Sequence, residues 1–281
     1  MHSTELHREV FKAGSTTYFN SSLFFTADVR DDVFVLYGFV RVADNYVDSV
    51  PQRPQEFHRF VELYHRAASG TPANDVIIDT FVDLAQRKHF RSEWTDAFLH
   101  SMELDLNKKV HATLPETLEY VYGSAEVIGL YMSRIMGLDP IADDAACMLG
   151  RSMQFINFIR DIAEDNELGR IYLPIAESSL PDLQEGTARA NPREFRSFLE
   201  AQLDRYREWQ HRAETGYRYI PLRYRVPIKT ASDMYNWTAR QIEADPFIVY
   251  SEKVKPSRTR IVARILGNFV TAGHVNEAVA S

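Results

Sequence analysis

The run Gln154-Phe155-Ile156-Asn157-Phe158-Ile159-Arg160-Asp161-Ile162-Ala163-Glu164-Asp165 sets polar residues at helical spacing inside an otherwise apolar segment. At about 100° per residue, Gln154, Asn157, Asp161 and Asp165 share one narrow stripe, and Phe155, Ile156, Ile159 and Ile162 cover the other side. A solvated helix face carries Lys and Glu. This one carries two carboxamides and two aspartates at i and i+4, a like-charge spacing that weakens an isolated helix by about 0.2–0.5 kcal/mol. A cation held between the carboxylates reverses that penalty, and hard Mg²⁺ takes oxygen ligands of this kind, often one or two carboxylates plus substrate phosphates.

A second half-site lies upstream. In Tyr37-Gly38-Phe39-Val40-Arg41-Val42-Ala43-Asp44-Asn45-Tyr46-Val47-Asp48, the residues Tyr37, Arg41, Asp44 and Asp48 again share one helical stripe amid Val and Phe. Two such helices would make a bay for Mg²⁺ and diphosphate. Asn45 lies off the stripe by about a fifth of a turn and is expected behind the metal ligands. An Asp-x-x-x-Asp pair alone is commonplace on surface helices, so the weight rests on the composite.

Prolines leave long uninterrupted spans, 1–50, 73–114, 141–173 and 193–220, whose apolar residues recur with a 3.6-residue period, so an all-α fold is expected. The expected breaks are 51–54, 70–72, 137–140 and 174–191. A helix should begin at about Ala27 with Asp28 in its first turn, and another at Lys229. With 281 residues and 45% hydrophobic content, one domain over 1–281 is the default. The formal charge of −7 disfavours a nucleic-acid partner, which needs a basic face. An anionic substrate must then be held by metal ions or local arginines. The single Cys147 suits a reducing compartment, and Met1-His2-Ser3-Thr4-Glu5 lacks the pattern of a signal peptide, so a cytoplasmic protein is expected, with peripheral membrane contact as an option. The oligomeric state is left open.

Taken together, the two stretches resemble the squalene/phytoene synthase family over nearly the whole chain. Its second motif appears as Gln154-x-x-Asn157-x-x-Arg160-Asp161-x-x-x-Asp165, followed by its Arg-x-Tyr element at Arg170-Ile171-Tyr172. The resemblance implies a single-domain isoprenoid synthase bundle around a central cavity. It implies Asp44, Asp48, Asp161 and Asp165 as catalytic Mg²⁺ ligands, with Mn²⁺ as a substitute, and Tyr235 as a cavity tyrosine. Diphosphate contacts would come from Tyr37, Arg41, Gln154, Asn157, Arg160, Arg170 and Tyr172. Ser15, Thr17 and Tyr18 match the family's Ser-x-Ser-Phe element, although Gly14 and Thr16 stand where His and Lys are frequent. For Ser15 and Thr17 an N-terminal cap is the competing reading, and for Tyr235 a structural tyrosine. Asp105 resembles the family's Met-x-x-Asp element or is an ordinary exposed aspartate. Around Gly123, Ala125 and Gly129 the small residues suit close backbone approach, with Glu126 where relatives usually carry a small residue. Lys253 or Arg258 is either a phosphate or membrane contact or part of a solvated run.

The activity so implied is head-to-head condensation of two geranylgeranyl diphosphates to phytoene, through a cyclopropyl (prephytoene) diphosphate and without NADPH, in carotenoid biosynthesis. Squalene or dehydrosqualene formation from farnesyl diphosphate is the alternative. From other classes stand a non-catalytic helical scaffold and a di-iron protein built on Glu62-x-x-His65 and Glu208-x-x-His211.

Overall fold

In a computed structural model, the backbone and side chains of His7, Glu9 and residues 24–251, 254–257 and 259–268 are described. Ser15, Thr17, Tyr18, Lys253 and Arg258 lie outside them. Among the described residues the chain is helical, and the one pairing of β type is an isolated parallel bridge between Val110 and Ile171. The contacts group into two compact units, one of residues 1–108 and 122–143, the other of 109–121 and 144–281.

The first unit is built on α1 (Ala27–Asp48), α2 (Pro54–Ala68), α3 (Val76–Arg87), α4 (Ser92–Asn107) and α6 (Val127–Ile135). The helix starts follow local chemistry. Asp28 falls in the first turn of α1, Pro54 opens α2 where no N–H is needed, and Asp75 caps α3 by accepting from the amides of Ile77 and Ile78 at 2.9 and 3.2 Å. Phe39 of α1 is fully buried and stacks on Phe81 of α3 at 3.8 Å, with Phe60, Tyr64 and Phe98 of α2 and α4 around it. One ring thus joins four helices, and burying it contributes about 1.5–3 kcal/mol.

Ahead of α6, residues Tyr122–Glu126 form a π-helical turn. A Cβ on Gly123 would lie 2.0 Å from the carbonyl oxygen of Ala97 in α4, so only glycine lets the two backbones meet. The close approach expected at Gly123 is therefore present, in a wider turn than an α-helix. Glu126 is buried there.

The second unit holds α5 (Leu114–Val121), α7 (Asp143–Arg160), α8 (Ile162–Glu167), α9 (Glu185–Ala190), α10 (Pro192–Glu214), α11 (Leu222–Ala244) and α12 (Ile248–Ser251). Fully buried Phe155 of α7 meets Trp209 of α10 edge-on at 5.0 Å, and buried Ser152 donates to Gln210 at 3.0 Å. α11 begins seven residues before the expected Lys229 and carries Pro227 inside it. In the second turn that proline forfeits the backbone bond to Arg223 O, and the helix continues through it. Residues 259–268 form a further helix, tied to α11 by Arg264 on Asp233 (2.7 Å) and by Asn268 on Thr230 (3.1 Å). No described helix is long and apolar enough to cross a membrane.

Candidate active site

α1 delivers Tyr37, Arg41, Asp44 and Asp48 on one line, ending at its own C-terminus. That end of a helix carries partial negative charge and favours cations, yet the last turn of α1 has no basic residue and two aspartates. Arg41 Nη1 donates to Asp44 Oδ2 at 2.6 Å. The carboxyl of Asp44 is nevertheless pushed up to about 7, first by burial and then by the neighbouring charge of Asp48, with Asp105 adding to it and Arg41 opposing. Burial likewise raises the Tyr37 phenol.

Asp105 is 2% exposed, so it is not an ordinary surface aspartate. It closes α4 as Asp48 closes α1, again with no basic residue in the last turn. Gln52 pins the two ends together: its Nε2 donates to Val47 O at 2.7 Å and to Asp105 O at 2.9 Å. Asp48 and Asp105 thus both bear electrostatically on Asp44 near two helix C-termini, with Arg41 the guanidinium that reaches Asp44. One or two carboxylates of this kind suit a hard cation that keeps waters, which would replace carboxylate repulsion with attraction. Asn45 is exposed, off this line.

In the second unit the expected single helix over 154–165 is interrupted. Asp161 has φ −99° and ψ 17° and separates α7 from α8, although the backbone bonds Asp161 N to Asn157 O (2.8 Å) and Asp165 N to Asp161 O (2.9 Å) carry the ladder across. At the same point the Arg160 guanidinium grips Asp161 through Nε to Oδ1 (2.8 Å) and Nη2 to Oδ2 (2.5 Å). A two-point fork of this kind holds the side chains of 160 and 161 together. Gln154 and Asn157 are half-buried, and Asn157 Oδ1 lies buried with no hydrogen-bond donor among the described residues, a spare acceptor on the polar stripe.

The segment after α8 folds back on it. Gly169 takes φ +67°, and the Arg170 amide donates to Asp165 O at 2.8 Å, which buries Arg170 beside the second aspartate pair. Ile171 then bonds Lys109 O and the His111 amide, both at 2.8 Å. Tyr172 is buried, stacked on Phe158 at 4.5 Å and His111 at 5.4 Å, with Tyr120 at 4.8 Å, and its carbonyl accepts from Thr117 Oγ1 at 2.8 Å. It therefore positions the Arg170 loop. His111 and Thr117 carry no signal in the sequence, where nothing links residues so far from the motif to it. Tyr235 is half-buried on α11, close to Tyr206, whose phenol is raised first by burial.

The four residues of the alternative di-iron set, Glu62, His65, Glu208 and His211, are all exposed, on the outer faces of α2 and α10. Among the described residues no three His, Cys, Asp or Glu side chains converge on one metal-sized gap. Mg²⁺ asks for fewer, since it keeps waters and takes substrate phosphates.

The family model that matches this sequence, over residues 11–260, is described as squalene/phytoene synthase. The chain belongs to the squalene/phytoene synthase family. Among curated relatives, it is 30% identical over 239 residues to the phytoene synthase of Rhodobacter capsulatus, a match covering 82% of this chain and 70% of that protein. It is 28% identical over 249 residues to the 15-cis-phytoene synthase of Pantoea ananas, covering 84% and 81%. A solved dehydrosqualene synthase with bound ligand superposes with a TM-score of 0.84 at 18% identity, over 97% of each chain. The squalene synthase HpnC of Alicyclobacillus acidocaldarius gives 0.78 at 20% identity, over 87% of this chain and 94% of that one. These likenesses establish the all-α isoprenoid synthase fold, and membership of the squalene/phytoene synthase family makes the chain a prenyltransferase.

Proposed function

We propose that this chain joins two geranylgeranyl diphosphates head to head and forms phytoene through a cyclopropyl (prephytoene) diphosphate. The observation that carries this reading is the match to enzymes named phytoene synthase over more than four fifths of the chain. The likeness to squalene and dehydrosqualene synthases favours a second reading, the same coupling on farnesyl diphosphate.

In this reading Asp44, Asp48, Asp161 and Asp165 hold Mg²⁺, or Mn²⁺ in its place, against the substrate diphosphates. The bound metal supplies positive charge that stabilises the departing diphosphate. Arg41, Arg160 and Arg170 add charge-assisted bonds to the same oxygens, and Tyr37, Gln154, Asn157 and Tyr172 orient them, together with Ser15, Thr17 and Tyr18. Ionisation leaves an allylic cation, and attack on it by the second substrate's double bond, with loss of a proton, closes the cyclopropane. A second loss of diphosphate, rearrangement and loss of a proton give the triene-centred hydrocarbon, so no reductant is consumed. The released diphosphate or the Tyr235 hydroxyl takes the proton. Apolar walls must exclude water, which would otherwise quench the cation.

The test is incubation with each prenyl diphosphate and Mg²⁺, with and without NADPH, and mass analysis of the extracted hydrocarbon. A C40 product from geranylgeranyl diphosphate without NADPH is expected. A C30 product only, or one that appears only with NADPH, would replace this reading with the farnesyl one.

A further inference from the structure

His7 is a buried titratable side chain that the site above leaves unused. It is 1% exposed, and its Nε2 lies 2.8 Å from Thr80 Oγ1 of α3. Thr80 Oγ1 is also 2.5 Å from Val76 O, a separation that two oxygens hold only with a proton between them, so the hydroxyl donates there. The imidazole must then donate from Nε2, which leaves Nδ1 a bare lone pair. No donor reaches Nδ1 among the described residues. What it meets is the backbone of α1: a Cβ on Gly38 would lie 2.5 Å from it. The ring thus fills a notch that glycine leaves in the surface of α1.

Gly38 follows Tyr37 and precedes Arg41 by one turn, so the notch is cut into the helix that carries the first half-site. From His7 to Ser15, the first of the residues read as diphosphate contacts ahead of α1, the chain has eight steps, which span at most about 29 Å. Holding His7 against Gly38 and Thr80 therefore buttresses α1 from the side and limits where those contacts can stand.

We propose that His7 is a positioning residue for diphosphate binding, fixing the N-terminal end of the chain to α1 and α3 as a neutral imidazole that donates from Nε2. This rests on the diphosphate reading of the first half-site. Protonation would place an N–H at Nδ1 where no acceptor stands, and burial holds the ring's pKa below the ordinary 6.5. The charged groups on the two packed faces have other partners: Asp83 and Arg87 of α3 bond each other at 2.8 Å, and Arg41 of α1 bonds Asp44 at 2.6 Å. Burial keeps the Tyr37 phenol neutral, and Glu9 of the same segment is exposed. Once released, the ring takes up a proton below about 6.5, so the hold is complete above that pH and weakens as pH falls below it.

The first readout needs no substrate and stands apart from the functional reading. In the full chain labelled with ¹⁵N-histidine, one ring should show the Nε2–H tautomer and titrate below 6.5. The second is diphosphate release at saturating Mg²⁺ from geranylgeranyl and, separately, farnesyl diphosphate. At pH 7.5, H7A should raise KM by about tenfold with kcat within about twofold. H7Q presents an amide donor and takes no charge, so it should restore KM to within about threefold and lose the rise of up to about tenfold per pH unit that His7 adds to the wild-type KM below 6.5. Where H7A does not fold, T80V removes the acceptor at constant shape and should raise KM in its place. Three results would overturn the proposal: every histidine ring titrating at the ordinary value, an unchanged KM in folded H7A or T80V, or an H7Q no better than H7A, which would make the residue a matter of packing alone. Wild type that releases no diphosphate while the ring behaves as described would overturn the functional reading and, with it, the role given to His7.

Discussion

The two aspartate pairs have the same spacing and opposite surroundings. Asp44 and Asp48 sit on an unbroken helix and at the end of it where backbone dipoles repel them, and a third carboxylate, Asp105, stands beside them. Asp161 and Asp165 straddle an interruption. The first is gripped by the fork of Arg160, and the second lies in the first turn of a short helix, where acidic groups are favoured. An equal sequence signal therefore encodes one pair under electrostatic tension and one already balanced by the protein. The tension belongs to the half-site that gains most from a cation.

The largest test of this comparison is turnover. Asp48→Asn and Asp165→Asn should each lower kcat by about a thousandfold, equivalent to about 4 kcal/mol of barrier, measured as diphosphate release at saturating Mg²⁺ with circular dichroism as the check of fold. Near-normal turnover in either variant would mean that the two pairs are not equally needed.

Removing charge should act with opposite sign on stability. Asp44 has a folded-state pKa near 7 against an ordinary 3.8, so the folded state holds a proton that the unfolded chain has lost, and metal-free stability falls as pH rises from about 4 to 7. Asp44→Asn should remove that slope and raise metal-free stability at pH 8 by about 1–2 kcal/mol, well short of the full shift because the side chain is 28% exposed. Asp161→Asn strands the Arg160 fork and should cost about 1–2 kcal/mol. Urea melts of both variants in EDTA check the pair; equal signs would dissolve the contrast.

Proton release should accompany metal binding at the strained pair. Mg²⁺ affinity, read by calorimetry, should tighten by up to about tenfold per pH unit below 7 and level off above it, and in Asp44→Asn the dependence should flatten. The smallest effect is expected at Asn45, exposed and off the ligand line. Asn45→Asp should change Mg²⁺ affinity by less than about threefold, and a gain above about tenfold would place position 45 among the ligands.

Much of this architecture is legible in the residues. Phe39 and Phe155 sit on the apolar sides that helical spacing assigns them, and Pro54, Asp75 and Gly137 lie at helix ends as their backbone chemistry requires. What escapes is made by side chains meeting out of sequence. Nothing in the residue types Arg160-Asp161-Ile162 breaks a helix, and the interruption at Asp161 coincides with a fork that depends on rotamers. Asp105 reads equally as a site residue and as an exposed one until Gln52 ties its carbonyl to the end of α1, and the helix expected from Lys229 runs through Pro227. Tyr172 has the right position and a different surrounding, an aromatic stack whose other members come from 111, 120 and 158.

That stack also bears on how the protein is made. Residues 109–121 belong with 144–281, yet the chain returns to the first unit over 122–143 in between. No single cut can separate the units. A nascent chain that has emerged as far as residue 143 has everything its first unit needs, while His111 and Tyr120 still wait for Phe158 and Tyr172 to be synthesised. Fragments ending near 143 should therefore carry an exposed aromatic loop and be recovered in inclusion bodies, whereas longer chains can close that loop once Tyr172 has emerged.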